Sequence, residues 1–346
     1  MKARRTLAAV LVALATAAVV VVAGTGSAGA AGTAPPSPAG EIAYYSFHQD
    51  GDVVCNDIFL IDASGLNAVD VTHDGTEKYD AAPNWSPDGT RVAFTRDYVW
   101  GGSDVYVLTL LTGKVQNVTA KPSLMTVANE HPTWAPDGRS LVFSSDRDGN
   151  FDLYRIKLGS TFPAVEQLTF TKPGIENYEA DISPDGNWIA FSRSRLSAFV
   201  GSSAGIYVMK SAGGSALQIT KGLRGAGDRA PAWSPNGTKI AFHGTATGNA
   251  ELYMVDANGG NRAQLTYGKG ADLEPSWAPN GGKLVFLSDR SGATELWTLD
   301  LLQMSPGPRF QQLTFDKHLK GAPDWLPARP TVTPPAPGTT FPSPTS

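Results

Sequence analysis

The sequence predicts an all-β protein, a six-bladed β-propeller with four strands in each blade. A turn of the form Trp-Ser/Ala-Pro-Asp/Asn-Gly recurs along the chain, as in WSPDG from Trp85 to Gly89. A second marker, an apolar residue followed by Thr, recurs in the same register. The last copy of the turn stops after one strand, and the first folded segment lacks that strand. The two ends of the fold are therefore predicted to complete one blade together.

The repeat has six copies at a period typical of a propeller blade. The tryptophan position recurs every 44 to 51 residues and is isoleucine in the third copy. The six positions are Trp85, Trp134, Ile182, Trp233, Trp277 and Trp325. The second marker ends at Thr72, Thr119, Thr169, Thr220, Thr266 and Thr314. Because two separate markers keep one register, the repeat is interpreted as a property of the fold.

Each repeat contains the same four predicted strands. The tryptophan lies in the first strand and is expected to fill the gap between adjacent blades. In the turn after it, Pro presets φ and Gly accepts a positive φ, so the turn is interpreted as structural. The second strand, such as KIAF at 239–242, is apolar on both faces, which is typical of strands stacked between neighbouring blades. An aromatic residue marks the third strand, and the Thr marker is expected to end the fourth.

The predicted propeller spans residues 41–327. Residues 321–327 supply the innermost strand of the closing blade and residues 41–72 supply its other three strands, which removes two open strand edges. Residues 1–30 have the basic start, apolar run and small-residue cleavage site of a signal peptide, the alternative being an uncleaved membrane anchor. Residues 31–40 are a linker, and residues 328–346 form a Pro/Thr-rich tail that is expected to be disordered.

These features predict an exported, monomeric protein of the cell envelope or the extracellular space, with no membrane span after the signal is cleaved. The formal net charge is −4 and no basic stripe is visible, which argues against nucleic-acid binding. The single cysteine, Cys55, cannot form an internal disulfide. It is interpreted as a small half-buried residue rather than a catalytic thiol.

The repeats resemble those of TolB-type six-bladed propellers, which are also called WD40-like or PD40 repeats. The resemblance is carried by the turns WSPDG, WAPDG and WSPNG, by the AF or VF that follows them, by LY in the third strand, and by QLT. It covers residues 41–327. The motifs are specific for the fold and much less specific for function, so the resemblance implies a six-bladed propeller and leaves the ligand open.

The most informative candidates for function lie just before each tryptophan position, in the segment that leads into the innermost strand. In a propeller this path passes the mouth of the central channel, so acidic residues from five blades would face one opening. They could hold a cation or the basic groups of a peptide, the alternative being that they are solvated loop residues. The eight candidates are Asp80, Glu130, His131, Glu179, Asp228, Arg229, Asp272 and Glu274.

Three further motifs are given a structural interpretation. GSSAG at 201–205 matches the nucleophile elbow G-x-S-x-G, but a strand follows it where that motif needs a helix, so it is interpreted as a flexible loop between the second and third strands. DRDGNFD at 146–152 resembles a calcium loop with a misplaced glycine, and is interpreted as a hairpin loop. The five histidines share no metal-ligand spacing. No catalytic residue is therefore assigned, and a metal site is left undetermined.

The sequence thus predicts a binding or scaffold protein whose ligand is a protein or peptide at the channel mouth. No cofactor is expected, apart from calcium or another divalent cation at the same place. One alternative is an enzyme, a lyase or hydrolase of polysaccharide or peptide with its site at the same mouth. Another is a purely structural surface protein. A convergent acid/base or metal set would favour the enzyme, whereas the sequence shows only the acidic residues.

Overall fold

The computed structural model describes residues 42–50, 53–73, 78–99, 101–119, 126–159, 164–195, 203–221, 227–303 and 309–327. The predicted signal peptide (1–30), linker (31–40) and C-terminal tail (328–346) lie outside these residues. All regular structure within them is β-strand, 24 strands in total. In this part of the chain there is no helix of the length and apolarity that a membrane crossing requires.

The strands form six groups of four. The chain starts with the three outer strands of the closing blade, β1 (Ile42–Asp50), β2 (Val53–Ile61) and β3 (Val69–Asp70). Blade 1 contains β4 (Tyr79–Trp85), β5 (Arg91–Asp97), β6 (Ser103–Thr109) and β7 (Lys114–Asn117). Blade 2 contains β8 (Asn129–Trp134), β9 (Ser140–Ser145), β10 (Asp152–Lys157) and β11 (Val165–Gln167). Blade 3 contains β12 (Ile175–Ile182), β13 (Trp188–Arg195), β14 (Ser203–Lys210) and β15 (Leu217–Gln218).

The remaining strands complete the ring. Blade 4 contains β16 (Asp228–Trp233), β17 (Lys239–Gly244), β18 (Glu251–Asp256) and β19 (Ala263–Gln264). Blade 5 contains β20 (Asp272–Trp277), β21 (Lys283–Ser288), β22 (Glu295–Asp300) and β23 (Arg309–Gln312). The last strand, β24 (Lys320–Trp325), is the innermost strand of the closing blade.

Each blade is an antiparallel sheet whose first strand is innermost. β24 pairs with β1, with Ile42 opposite Trp325 and Ala43 opposite Asp324. The six innermost strands contact one another in the cyclic order β4, β8, β12, β16, β20, β24, and β24 contacts β4 again. The predicted pairing of the two ends of the fold is therefore present, and the fold class predicted from the repeats is confirmed.

The tryptophans pack between blades, as predicted. Trp85 is buried with Ile58 of the closing blade and Phe94 of blade 1. Trp134 is buried with Val105 of blade 1 and Phe143 of blade 2. The second strands beside them are buried on both faces, and every residue of β9 is buried. Apolar burial between blades therefore accounts for the first marker of the repeat.

The Pro-Asp-Gly turn is stabilised by hydrogen bonds among its own residues. In blade 1 the N–H of Gly89 donates to the carbonyl of Ser86 at 2.9 Å, and Gly89 has a φ of 68°. The hydroxyl of Ser86 donates to the carboxylate of Asp88 at 2.6 Å, and the same carboxylate accepts from the N–H of Thr90. These local hydrogen bonds give the turn the structural role expected from its residues.

The Thr marker has a role that was not predicted. The fourth strands end before the threonine rather than at it, and β15 and β19 have only two residues each. The threonine hydroxyl instead accepts a hydrogen bond from a backbone N–H of the third strand, at 2.9 Å in all six blades. The side chain thus takes over an edge hydrogen bond where the short outer strand stops.

Candidate functional site

The eight predicted site residues lie inside the innermost strands and not in the loops before them. Each of these strands carries a bulge, with a non-glycine residue at positive φ three positions before the tryptophan position. The residues at the bulges are Ala82, His131, Glu179, Ala230, Glu274 and Ala322, with φ between 44° and 55°. A bulge bends the strand and re-aims a side chain, so these bulges change the direction of side chains within a continuous strand.

Three of the predicted acidic residues form ion pairs with arginines. Asp80 accepts two hydrogen bonds from Arg96, at 2.6 and 2.8 Å. Asp228 is bound in the same two-pronged way by Arg262, at 2.9 and 3.0 Å. Asp272 accepts from Arg290 at 2.8 and 2.7 Å. All three carboxylates are buried.

These arginines belong to a structural device that the repeat uses in five blades. Each guanidinium lies over the aromatic ring of the third strand, with its carbon 4.5 to 5.2 Å from the ring centre. The pairs are Arg96 and Tyr106, Arg147 and Tyr154, Arg193 and Tyr207, Arg262 and Tyr253, and Arg290 and Trp297. In blades 2 and 3 the innermost-strand partner is Asn129 or Asn177, an amide in place of a carboxylate. The contact thus ties the innermost strand to the third strand of the same blade, through an arginine that lies in a strand in blades 1 and 3 and in a loop in blades 2, 4 and 5.

The other five predicted residues lie near enough to one another to interact electrostatically. Glu179 is the centre of this group: its Oε1 lies 3.9 Å from Nη1 of Arg229 in the next blade. Its Oε2 accepts from the N–H of Ala230 at 2.9 Å, across the boundary between blades 3 and 4. Glu274 of blade 5 accepts a hydrogen bond from the N–H of Ala322 in the closing blade at 2.6 Å. His131 of blade 2 lies 3.8 Å from Glu130. We call Glu130, His131, Glu179, Arg229 and Glu274 the mouth cluster.

Electrostatics distinguish the members of the mouth cluster. Burial raises the pKa of Glu130, and burial together with the charge of Glu179 raises the pKa of Glu274. Burial acts in the same direction on Glu179, but the positive charges of Arg229 and His131 outweigh it and hold the pKa of Glu179 below its usual value. Within the described residues, no lysine or arginine lies within ion-pair distance of Glu130 or Glu274. These two carboxylates are therefore the acidic groups of the cluster that have no lysine or arginine partner among the described residues.

A second ring of polar residues was missed by the sequence analysis. It is formed by the residue immediately before the tryptophan position, which is polar in five of the six blades (Ala232 is the exception) and is a carboxylate in two, Asp181 and Asp324. Asp181 accepts from the N–H of Trp233 at 2.6 Å, and Asp324 from the N–H of Trp85 at 2.7 Å. Burial raises the pKa of Asp181 to about 6 and that of Asp324 to about 7, with the charge of Asp181 adding to the second shift. A polar residue repeated beside the tryptophan was the signal available in the sequence.

The motifs interpreted as structural lie in ordinary elements. Ser203, the serine of the G-x-S-x-G match, is the first residue of β14 and is paired with Arg195. In the loop that resembles a calcium site, Asp146 accepts from the N–H of Ala128 at 2.8 Å and Asp148 from the hydroxyl of Tyr154 at 2.7 Å. The calcium-like segment is thus a hairpin loop, as expected, whereas the expected loop at GSSAG is already strand from Ser203 onward, because β14 pairs with β13 up to Arg195.

Comparison with known proteins identifies the repeat. A family model described as the TolB beta propeller domain matches residues 33–227 and 197–333. The Tol-Pal system protein TolB of Francisella tularensis is 28% identical over 255 residues, which are 60% of this chain and 55% of that protein. An uncharacterized protein of Agrobacterium fabrum is 31% identical over 168 residues, 49% of this chain and 52% of that protein. The chain spans about half the length of the curated relatives it matches.

Solved structures agree on the fold. TolB from Acinetobacter baumannii superposes with a TM-score of 0.66 at 22% identity, over 84% of this chain and 67% of that one. A putative TolB from Agrobacterium tumefaciens superposes with a TM-score of 0.58 at 21% identity, over 79% of this chain and 88% of that one. At this level of identity the likeness concerns the arrangement of the blades and not the residues of the channel.

Proposed function

Because the chain belongs to the TolB β-propeller domain family, we propose that it is an exported binding protein of the cell envelope. Its ligand is a protein segment or peptide that presents a basic group to the mouth cluster. The family membership supports a propeller that works by binding, since relatives that share it are named as parts of the Tol-Pal system. The ligand chemistry is argued from the charges of the cluster alone.

The observation that carries this proposal is the charge imbalance of the mouth cluster. Glu179 has Arg229 as a partner, whereas Glu130 and Glu274 hold half-buried carboxylates with raised pKa and no lysine or arginine in reach among the described residues. Keeping such groups ionised costs free energy, because burial removes water and like charges repel. A lysine, an arginine or a free amino terminus would supply the missing positive charge and hydrogen-bond donors.

The contrast with the buried ion pairs supports the same conclusion. Asp80, Asp228 and Asp272 are satisfied by two-pronged arginine contacts. A ligand would have to displace those arginines before it could use these carboxylates, and breaking a buried pair is costly. The binding role is therefore proposed for the mouth cluster, with the three aspartates as its structural support.

Peptide binding by matched variants tests the proposal. Labelled peptides that alternate Lys with Ser, or Glu with Ser, are titrated with the protein while fluorescence anisotropy is followed. We expect the basic peptide to bind preferentially and its affinity to fall with added salt. The triple variant Glu130→Gln, Glu179→Gln, Glu274→Gln keeps the side-chain shapes and should weaken binding at least tenfold. Glu166→Gln, a change on the exposed side of β11, should leave binding unchanged.

Two further measurements distinguish the outcomes. The unliganded double variant Glu130→Gln, Glu274→Gln, which leaves the Glu179–Arg229 pair in place, should melt at a slightly higher temperature than the natural protein, because two carboxylates with raised pKa have been neutralised. Calcium is the other ligand class that could neutralise these carboxylates, so it is titrated separately. Equal binding of the acidic and basic peptides, or undiminished binding by the triple variant, would refute the proposal. A response to calcium and to neither peptide would replace the peptide ligand with a cation.

A further inference from the structure

The closing blade contains a cluster of metal-ligand side chains away from the mouth cluster. It consists of His48 at the end of β1, Asp57 in β2, Asp70 in β3 and His73 just after β3. One nitrogen or oxygen atom from each lies within 4.8 Å of all the others. From these four residues we propose that the protein binds one transition-metal ion of the zinc class, with two imidazole and two carboxylate ligands.

The distances within the cluster suit a tetrahedral ion. Nε2 of His48 is 3.4 Å from Oδ2 of Asp57 and 4.0 Å from Oδ2 of Asp70. Nδ1 of His73 is 3.4 Å from the same Asp57 oxygen and 3.7 Å from the same Asp70 oxygen. Ligand atoms at about 2.0–2.1 Å from a tetrahedral zinc are separated from one another by about 3.4 Å. Small movements would therefore close the cluster around the ion.

Hydrogen bonds to the outer atoms orient three of the four ligands. Nδ1 of His48 is 3.2 Å from the carbonyl oxygen of Ser46, which can only accept, so this nitrogen carries the proton. In the neutral ring the lone pair is then on Nε2, which faces the two aspartates. Oδ1 of Asp57 accepts from the hydroxyl of Thr72 at 3.3 Å. Oδ1 of Asp70 accepts from the N–H of Thr72 at 3.1 Å and of His73 at 2.9 Å. Outer hydrogen bonds of this kind are typical of metal ligands.

Three of the four ligands, His48, Asp70 and His73, are residues that the other five blades do not have at the equivalent positions. Two positions before the Thr marker, the other five blades have Asn117, Gln167, Gln218, Gln264 and Gln312, whereas the closing blade has Asp70. An arginine lies over the third-strand aromatic ring in those blades, whereas His48 packs edge-on against Phe59, with 5.7 Å between ring centres. His73 follows the marker directly. Neither the stacking of blades nor the Thr hydrogen bond requires these three changes, and they meet at one point.

The choice of metal follows from the ligands and their surroundings. Imidazole nitrogen favours zinc and its neighbours over calcium and magnesium, which prefer oxygen ligands only. Sγ of Cys55 is 3.4 Å from Nε2 of His48, which adds a soft atom beside the cluster. Asp57 is 2% exposed and His73 is 40% exposed, so the site is anchored in the sheet and open on one side. The ion would tie the two-residue β3 and the segment after it to β1 and β2.

Metal binding by the whole protein tests the inference. The protein is stripped with a chelator, and zinc is titrated against a chromophoric competitor. One equivalent of zinc should bind and raise the melting temperature. Cobalt(II) should give the intense visible absorption of a tetrahedral site. Asp70→Asn keeps the Oδ1 acceptor for the two N–H groups and removes the charged ligand oxygen, so the blade should fold while zinc affinity falls at least tenfold. His73→Gln, at an exposed position, should give the same loss.

Two control variants make the result specific. His318→Gln changes an exposed histidine before β24, and Glu274→Gln changes the mouth cluster; both should bind zinc as the natural protein does. The inference is overturned if less than one equivalent binds. It is also overturned if Asp70→Asn and His73→Gln bind zinc unchanged, or if the cobalt absorption is lost in Glu274→Gln and kept in Asp70→Asn. The last result would mean that the metal binds at the mouth cluster and not in the closing blade.

Discussion

Asp324, in the last strand of the fold, accepts a hydrogen bond at 2.7 Å from the backbone N–H of Trp85, a residue 239 positions earlier in the chain. The same carboxylate accepts from the side-chain amide of Asn84 at 3.1 Å and from the hydroxyl of Ser276 at 3.2 Å. One side chain therefore bonds to blade 1 on one side and blade 5 on the other. The ring is joined at its centre as well as by the pairing of β24 with β1.

Removal of the closing strand should destroy the fold, whereas removal of the tail alone should not. Deleting residues 328–346 removes a segment with little to bury, and the melting temperature should stay within error. Deleting residues 320–346 also removes β24, exposes the edge of β1 and takes away Asp324. We expect aggregation or loss of the cooperative melt, measured by circular dichroism. An equal melting temperature for both truncations would contradict closure by β24.

The threonine of the second marker should contribute unequally to the free energy of unfolding in different blades. Thr266 accepts from the N–H of Leu252 and donates to the buried carboxylate of Glu251 at 2.7 Å. Thr220 accepts from the N–H of Ile206 at 2.9 Å, but its blade has Gly205 in place of the acid. Thr266→Val should therefore cost about 1–3 kcal/mol more than Thr220→Val, because it leaves a buried carboxylate short of a donor. Urea denaturation measures both, and equal losses would show that Glu251 gains nothing from the hydroxyl.

The buried arginine pairs should respond asymmetrically to substitution. Asp272→Asn reproduces the Asn129 and Asn177 arrangement of blades 2 and 3, so it should cost about 1 kcal/mol. Arg290→Ala leaves Asp272 buried and unpaired and removes the stacking on Trp297. It should cost about 3 kcal/mol, at the low end for a buried pair because Arg290 is 23% exposed. If Asp272→Asn proved the more costly change, the carboxylate would have a role beyond this pair.

The fold was predictable because its markers act locally or repeat in register. The tryptophan and the Pro-Asp-Gly turn each do the same work in successive blades, so their spacing appears directly in the sequence. The role of the Thr marker was not predictable in the same way. Its hydroxyl bonds to a backbone group 14 to 18 residues earlier, and a marker alone does not reveal which atom it contacts.

The candidate site was only partly predictable for the same reason. The acids before the tryptophans repeat in sequence, but their arginine partners lie at sequence distances of 16, 34 and 18 residues. Because these distances vary, the sequence does not distinguish a carboxylate without an arginine partner, such as Glu274, from one with such a partner, such as Asp272. The His48 cluster is similar, since its ligands come from three strands and the turn after them. Two of the five histidines, His48 and His73, therefore come together in the fold although their spacing in the sequence matches no metal-binding motif.

The ionisation of Asp324 should make the folded protein less stable as the pH rises. Burial raises its pKa in the fold to about 7, whereas an aspartate in the unfolded chain titrates near 3.9. Between these values the folded state holds a proton that the unfolded state has released, so stability falls as the pH rises from about 4 to about 7 and levels off above that. His243 acts in the opposite direction below about pH 6.5, because burial lowers its pKa to about 4 in the folded state.

The effect of Asp324 is therefore measured between pH 6.5 and 8, by comparing the natural protein with Asp324→Asn. The asparagine oxygen can still accept from the N–H of Trp85, and the amide cannot ionise. We expect the melting temperature of the natural protein to fall by about 1–2 °C over this interval, relative to a flatter profile for the variant. Asp137→Asn, at an exposed turn, is the control and should follow the natural protein. Parallel profiles for the natural protein and Asp324→Asn would mean that Asp324 is already ionised in the fold at pH 6.5. The network around Trp85 would then stabilise the charged carboxylate more than burial opposes it.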